Sequence, residues 1–156
     1  MYEFNLTESY FPAQHDAEIR DLTVGSLLRE TAANHPQAVA MVDVDDSGQC
    51  GQSWTYEALL GEADRLALAL STRFAHGERV VVWAPNIPQW IFMEYACGLV
   101  GLVLVTANPS FQSKELVYVL EQFGAVGLFL VSEFRGNPMA RITEEVIHGN
   151  TCLRET

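Results

Sequence analysis

The chain has 156 residues, 49% of them hydrophobic and 19% charged, with 9 basic residues against 20 acidic ones and a net charge of −11. That is enough for one domain with its own core, and it excludes a disordered tail, a collagen-like repeat and a coiled coil. The excess of carboxylates repels phosphate backbones and anionic bilayers, so neither a nucleic-acid groove nor a membrane-surface patch is expected.

Residues 1–20 are polar and aperiodic around Pro12 and read as an arm. Thr23 is placed to cap a helix from Val24, with Leu22 and Leu27 as a staple and Leu27, Leu28 and Ala32 on its inner face. Pro36 stops it. Residues 38–44 read as a strand, residues 45–48 as an Asp/Gly turn, and residues 51–54 as the returning arm of a hairpin. Thr55 caps the next helix, with Trp54 and Leu59 in staple positions. Leu59, Ala63, Leu66, Ala67, Leu70 and Phe74 recur at helical spacing until His76 and Gly77 end it.

Residues 79–84 are continuously apolar after Arg79, which points to a strand buried on both faces of a parallel sheet. A turn with Pro85 and Pro88 leads into a helix over 89–101. A strand over 102–106, a loop at Asn108 and Pro109, a helix over 113–123 and a strand over 125–131 follow. Residues 133–147 read as helical with an interruption at 136–138. Alternating strands and helices make βαβ units: an α/β fold with a mainly parallel sheet and helices on both faces, the hairpin lying at or near an edge. A body over 21–150 is thereby set between the arm and a short tail, 151–156. The most apolar stretch, residues 91–105, falls short of the ~20 apolar residues that cross a bilayer and holds Glu94, Gly98 and Gly101. The first five residues lack the basic and apolar regions of a secretory signal.

Little self-sufficient chemistry is visible. Gly-x-Gly-x-x-Gly, the Walker-type phosphate loop and Gly-x-Ser-x-Gly are absent, and the only lysine, Lys114, follows Ser113 in the first turn of a helix. Gly98 and Gly101 suit the close approach of a helix to a strand better than phosphate binding. Cys50, Cys97 and Cys152 are far apart with no Cys-x-x-Cys, which fits a reducing, cytoplasmic setting and neither a disulfide framework nor a metal site. His15, His35, His76 and His148 are equally scattered. Cys97 reads as an inert buried thiol, Glu94 as a solvent-side carboxylate, and Glu144 and Glu145 as a solvated pair. Asp43, Asp45 and Asp46 lack the later glutamate of a calcium loop and read as turn residues. No catalytic, cofactor-binding or metal-ligating residue is assigned. Asn86 and Asn108, each just after a parallel strand, are placed to satisfy loop backbone groups with their side-chain amides; they are also the candidate cleft-lining residues, because such loops line clefts.

Four segments in order carry a resemblance. Residues 54–59, Trp-Thr-Tyr-Glu-Ala-Leu, look like a first core motif written L-[TS]-Y-x-E-L, with Trp54 in place of the first Leu. Residues 77–86 resemble a G-D-R-V segment ending in Asn, and residues 97–109 a helix-to-strand join ending in Asn-Pro. Residues 115–120 match an E-L-x-Y-x-L helix. Together they resemble the amino-terminal part of an AMP-forming acyl-CoA synthetase, of the adenylate-forming superfamily, over residues 22–131. Residues 83–86 and 106–112 are most similar to the fatty-acyl-CoA synthetases.

That resemblance implies a ligase that joins a fatty acid or other carboxylate to ATP, with Mg, releases pyrophosphate, and passes the acyl group from AMP to the thiol of CoA. The family's phosphate loop, adenine motifs and adenylation lysine come later in its sequence and have no counterpart here. The expectation is therefore an incomplete ligase, inactive by itself, that binds no cofactor alone. Incompleteness also implies too little cover at one sheet edge or face, or at the aromatics around Trp83, Trp90 and Phe92, and hence aggregation, self-association or dependence on a complementing fragment. A stand-alone, non-catalytic binding or interaction domain remains the alternative, with a complete flavodoxin-like protein behind it.

Overall fold

The computed structural model of the protein describes residues 7, 19–45, 47–148 and 152–156. Residues 1–6 and 8–18 of the expected arm, with Pro12 and His15, lie outside those residues, as does Asp46 of the turn. Ten elements follow in order: α1 (Val24–Asn34), β1 (Val39–Val44), β2 (Cys50–Thr55), α2 (Tyr56–Ser71), β3 (Arg79–Trp83), α3 (Pro88–Val100), β4 (Val103–Ala107), α4 (Ser113–Phe123), β5 (Gly127–Leu130) and α5 (Met139–Ile147).

The two hydroxyl caps form as their sequence positions require. Thr23 accepts from the Ser26 N–H at 3.1 Å and Thr55 from the Ala58 N–H at 3.2 Å. Trp54 and Leu59 share one buried cluster, as a staple should. The corresponding pair at α1 does not bury: Leu22 and Leu27 are 42% and 48% exposed. Gly25 takes the inner face of α1 beside Leu28 and Ala32. A Cβ on Gly25 would come within 3.0 Å of the Gly98 carbonyl, so α1 and α3 meet backbone to backbone. The close approach at Gly98 is therefore to a helix, α1, where a strand was expected. Gly101 closes α3 with φ of +72°, in the left-handed region that glycine enters without a Cβ penalty.

β3 is the centre of a three-stranded parallel sheet ordered β4-β3-β5. Its pleat explains the continuous apolar run. Val80 and Val82 point into a core with α2 and α3, whereas Val81 and Trp83 point into a second core with α4 and α5. All four are buried, so helices cover both faces. The hairpin is antiparallel but forms its own two-stranded sheet, packed with α1, α2 and α3, instead of edging the main one.

The last helix begins at Met139 rather than near Glu133. Residues 134–137 form a tight turn in which Phe134 and Asn137 exchange backbone hydrogen bonds across Arg135 (φ +49°) and Gly136 (φ +79°). Two successive positive φ values are incompatible with a right-handed helix. Residues 154–156 lie alongside β5: the Arg154 N–H donates to the Val126 carbonyl and the Leu128 N–H to the Glu155 carbonyl, with Gly127 and Glu155 bridged in parallel.

Candidate functional site

In a parallel sheet, the loops leaving the carboxyl ends of the strands gather on one side. Here they run from β3 to α3 (residues 84–87), from β4 to α4 (108–112) and from β5 to α5 (131–138). Both candidate asparagines sit on that side and are exposed. Their surroundings differ. Asn86 lines a solvent-open groove of about 300 Å³ between β1 and the start of α3, with Met41, Val44 and Trp90. Asn108 works locally: its Oδ1 accepts from the Ser110 N–H at 2.9 Å, and its carbonyl accepts from the Trp83 indole N–H at 2.8 Å. Trp83 is fully buried. The expected lack of cover at Trp83 is therefore wrong, because α4 and α5 close over it. Trp90 and Phe92 are only half-buried.

The residue that organises this side is Asn137. Its amide donates to the carbonyls of Pro109 (2.8 Å) and Phe111 (3.0 Å), and its Oδ1 accepts from the Gln112 amide at 3.0 Å. One side chain thus ties the loop after β5 to the loop after β4. Sequence reasoning treated Asn137 only as part of a helix interruption. Its partners lie some 25 residues away in the chain, and no local pattern encodes such a bond. Between these loops is a polar depression of about 370 Å³ lined by Ser110, Gln112, Arg135 and Asn137. The Arg135 guanidinium lies 5.1 Å from the centre of the Phe134 ring.

The electrostatics do not favour a nucleotide phosphate at the helix ends of this face. At α4 the Gln112 N–H already donates to the Glu115 carboxylate at 3.1 Å, so a negative group occupies the place where an anion would bind. At α3 the first helical residue is Pro88, which has no N–H to offer. Lys114 is exposed on α4. Cys97 is buried in α3 and burial pushes its thiol up to about 12, so it is no nucleophile at neutral pH. Glu94 faces solvent, as do Glu144 and Glu145. Asp45 Oδ1 accepts from the Ser47 N–H, the Ser47 hydroxyl and the Gln49 N–H, which is turn chemistry.

The model of the AMP-binding enzyme family matches residues 28–154. The chain belongs to that family. A mitochondrial medium-chain acyl-CoA ligase of Rattus norvegicus is 30% identical over 88% of this chain, and the match spans 22% of the ligase. The putative acyl-CoA synthetase YngI of Bacillus subtilis is 32% identical over 84% of the chain, which spans 23% of that protein. Among solved structures, the N-terminal domain of FACL13 from Mycobacterium tuberculosis superposes with a TM-score of 0.73 and 22% identity. The match covers 86% of this chain and 33% of that domain. The chain thus has the fold of part of such a domain and spans about a fifth of the length of the curated ligases it matches. Among its described residues, no helix is long and apolar enough to cross a membrane.

Proposed function

We propose that this chain is the opening portion of an AMP-forming fatty-acyl-CoA ligase, supplying scaffold and strand-end loops to a reaction whose phosphate-handling groups lie elsewhere in the polypeptide. The whole enzyme would activate a carboxylate with ATP and Mg, release pyrophosphate, and transfer the acyl group from AMP to CoA. The observation that carries the reading is the family match over most of the chain together with its small share of ligases that are several times longer. The site agrees with it. Two strand-end loops are bound into one unit by Asn137, yet α4 is filled by its own carboxylate and α3 opens on a proline. These residues do not fit a triphosphate, so no step is assigned to them.

The named relatives are ligases or synthetases, which lends no support to a stand-alone binding domain. A cytoplasmic setting belongs to the same proposal and is supported by the sequence's three widely spaced cysteines, an odd number that suits no disulfide framework.

The test is pyrophosphate release from ATP and Mg by the purified chain, with a medium-chain fatty acid as acceptor. No acid-dependent release is expected. Release that disappears in Lys114→Ala would place adenylation chemistry within this chain and refute the assignment.

A further inference from the structure

The charges of this chain are unevenly spread. Residues 37–64 and 80–113 contain no lysine, arginine or histidine. The first stretch supplies the β1–β2 hairpin and the second supplies α3 with the loop before it. Where the hairpin meets the start of α3, the only charges those elements carry are therefore carboxylates. Asp43 lines the groove there, Asp45 follows two residues on in the turn, and Glu94 lies one helical turn beyond Trp90 on the same side of α3. None of the three takes part in an ion pair among the described residues.

The floor between these carboxylates is apolar. The groove of about 300 Å³ that Asn86 borders has Met41, Val42 and Val44 of β1 on one wall and Ile87, Trp90 and Ile91 on the other. Val42 and Val44 are 43% and 53% exposed, and Trp90 is half-buried, so the described residues leave this apolar surface open to water. A solvent-open trough between a strand and a helix does not enclose a small molecule. It suits the row of anchor side chains that an amphipathic helix presents. An added strand is a poorer fit, because β1 shifts register between Val39 and Met41 and again between Val42 and Val44, which breaks the regular edge such a strand needs.

We propose that the groove between β1 and α3 docks a basic amphipathic helix of another protein, whose apolar face enters between Val44 and Trp90 while its lysines or arginines lie against Asp43, Asp45 and Glu94. Charge complementarity selects this occupant. A second copy of the chain brings a net charge of −11 to a surface that is itself acidic, and is repelled. Anionic small molecules, including ATP, CoA and a fatty acid, are disfavoured at the same place for the same reason, as is an anionic bilayer. A basic helix gains both from burying the exposed valines and the Trp90 ring and from pairing with the carboxylates at the rim, which steer the encounter and weaken with salt. The proposal does not depend on the ligase reading.

The probe is a synthetic leucine–lysine peptide with its leucines at helical spacing, titrated into the whole chain by calorimetry and followed by acrylamide quenching and amide hydrogen exchange. Trp54 and Trp83 are buried, so quenching reads Trp90. Saturable binding is expected, with Trp90 shielded, new protection at residues 41–44 and 87–91, and weaker binding as salt rises. A scrambled peptide of the same composition should bind more than roughly tenfold less tightly, and a leucine–glutamate peptide of the same pattern not at all. Val44→Lys should weaken binding by more than roughly tenfold, as loss of a central contact does, whereas Tyr118→Lys, the same charge change on exposed α4, should leave it within about twofold. Both positions are exposed; if Val44→Lys nevertheless misfolds, Asp43→Asn with Glu94→Gln should lower the affinity and flatten its salt dependence. Equal binding of the scrambled peptide, equal weakening by the two lysine variants, or protection confined to other residues would show attraction by net charge alone and overturn the proposal. Attachment of residues 41–44 and 87–91 to phosphatidylcholine vesicles without peptide binding would overturn it in favour of a lipid surface.

Discussion

Replacing Trp83 with Phe tests the anchor that joins the core to the strand-end face. The indole N–H reaches out of the fully buried ring to the Asn108 carbonyl at 2.8 Å, fixing the end of β3 to the loop after β4. Phe keeps the aromatic ring in the α4–α5 core but has no donor. The lost bond costs about 0.5–1.5 kcal/mol net. The bond is part-buried, so any penalty for leaving the Asn108 carbonyl unpaired adds to this figure. The benzyl ring also gives up roughly 40 Å² of buried apolar surface, about 1 kcal/mol at 25 cal/mol per Å². The sum is about 2 kcal/mol, which for a domain of this size lowers Tm by roughly 4–8 °C. Urea unfolding should show a lower midpoint at unchanged slope, and amide exchange should speed up at Ser110, whose N–H is held by Asn108. A midpoint shift worth less than about 0.5 kcal/mol, within the range of a neutral surface change, would refute the anchoring role.

Other perturbations have expected outcomes of different sign. Gly25→Ala should destabilise by forcing α1 off α3, because its Cβ would meet the Gly98 carbonyl at 3.0 Å; Gly61→Ala, in open space on α2, should stabilise by about 0.5–1 kcal/mol in the same thermal melt. Thr55→Ala removes the α2 cap and should cost about 1 kcal/mol, checked by urea denaturation. Iodoacetamide at neutral pH should label Cys50, which is exposed, and spare Cys97, whose thiol burial raises to about 12; mass spectrometry reads both. The Ala75 N–H, aided by Arg154, holds the Glu78 carboxyl below the ordinary glutamate range. A depressed carboxylate contributes stability above its unfolded pKa and loses it as pH falls through the folded one. Glu78→Gln should therefore flatten the acid limb of a stability–pH profile below the ordinary glutamate range and leave that limb's dependence near neutral pH unaltered.

The main sheet was legible because its signals are local and consistent. Two threonine caps mark where α1 and α2 begin, and a continuously apolar β3 announces its burial on both faces; the second helix, however, ends at Ser71, short of the expected end at His76 and Gly77. What escaped depends on distance. The inward turn of Gly25 in place of Leu27 follows from the backbone of α3, more than seventy residues on. The late start of α5 follows from a non-glycine residue, Arg135, held at positive φ by a turn whose closing Asn137 is fixed to the loop after β4. The same bonds make Asn137 the organiser of the site, which helical periodicity could not reveal. Asn108 was legible as a loop-satisfying amide because its partner is two residues away, whereas the burial of Trp83 behind it depended on α4 and α5 folding over β3.

The function proposed for this chain is that of a chemically incomplete part of an acyl-CoA ligase. Formation of the acyl-CoA thioester from a medium-chain fatty acid, ATP, Mg and CoA tests it most directly, measured by mass spectrometry for this chain, for the portion of YngI that follows its matched stretch, and for their equimolar mixture. The account predicts thioester from the mixture and none from either polypeptide alone. Thioester made by this chain alone, or an assembled mixture that makes none, would contradict it.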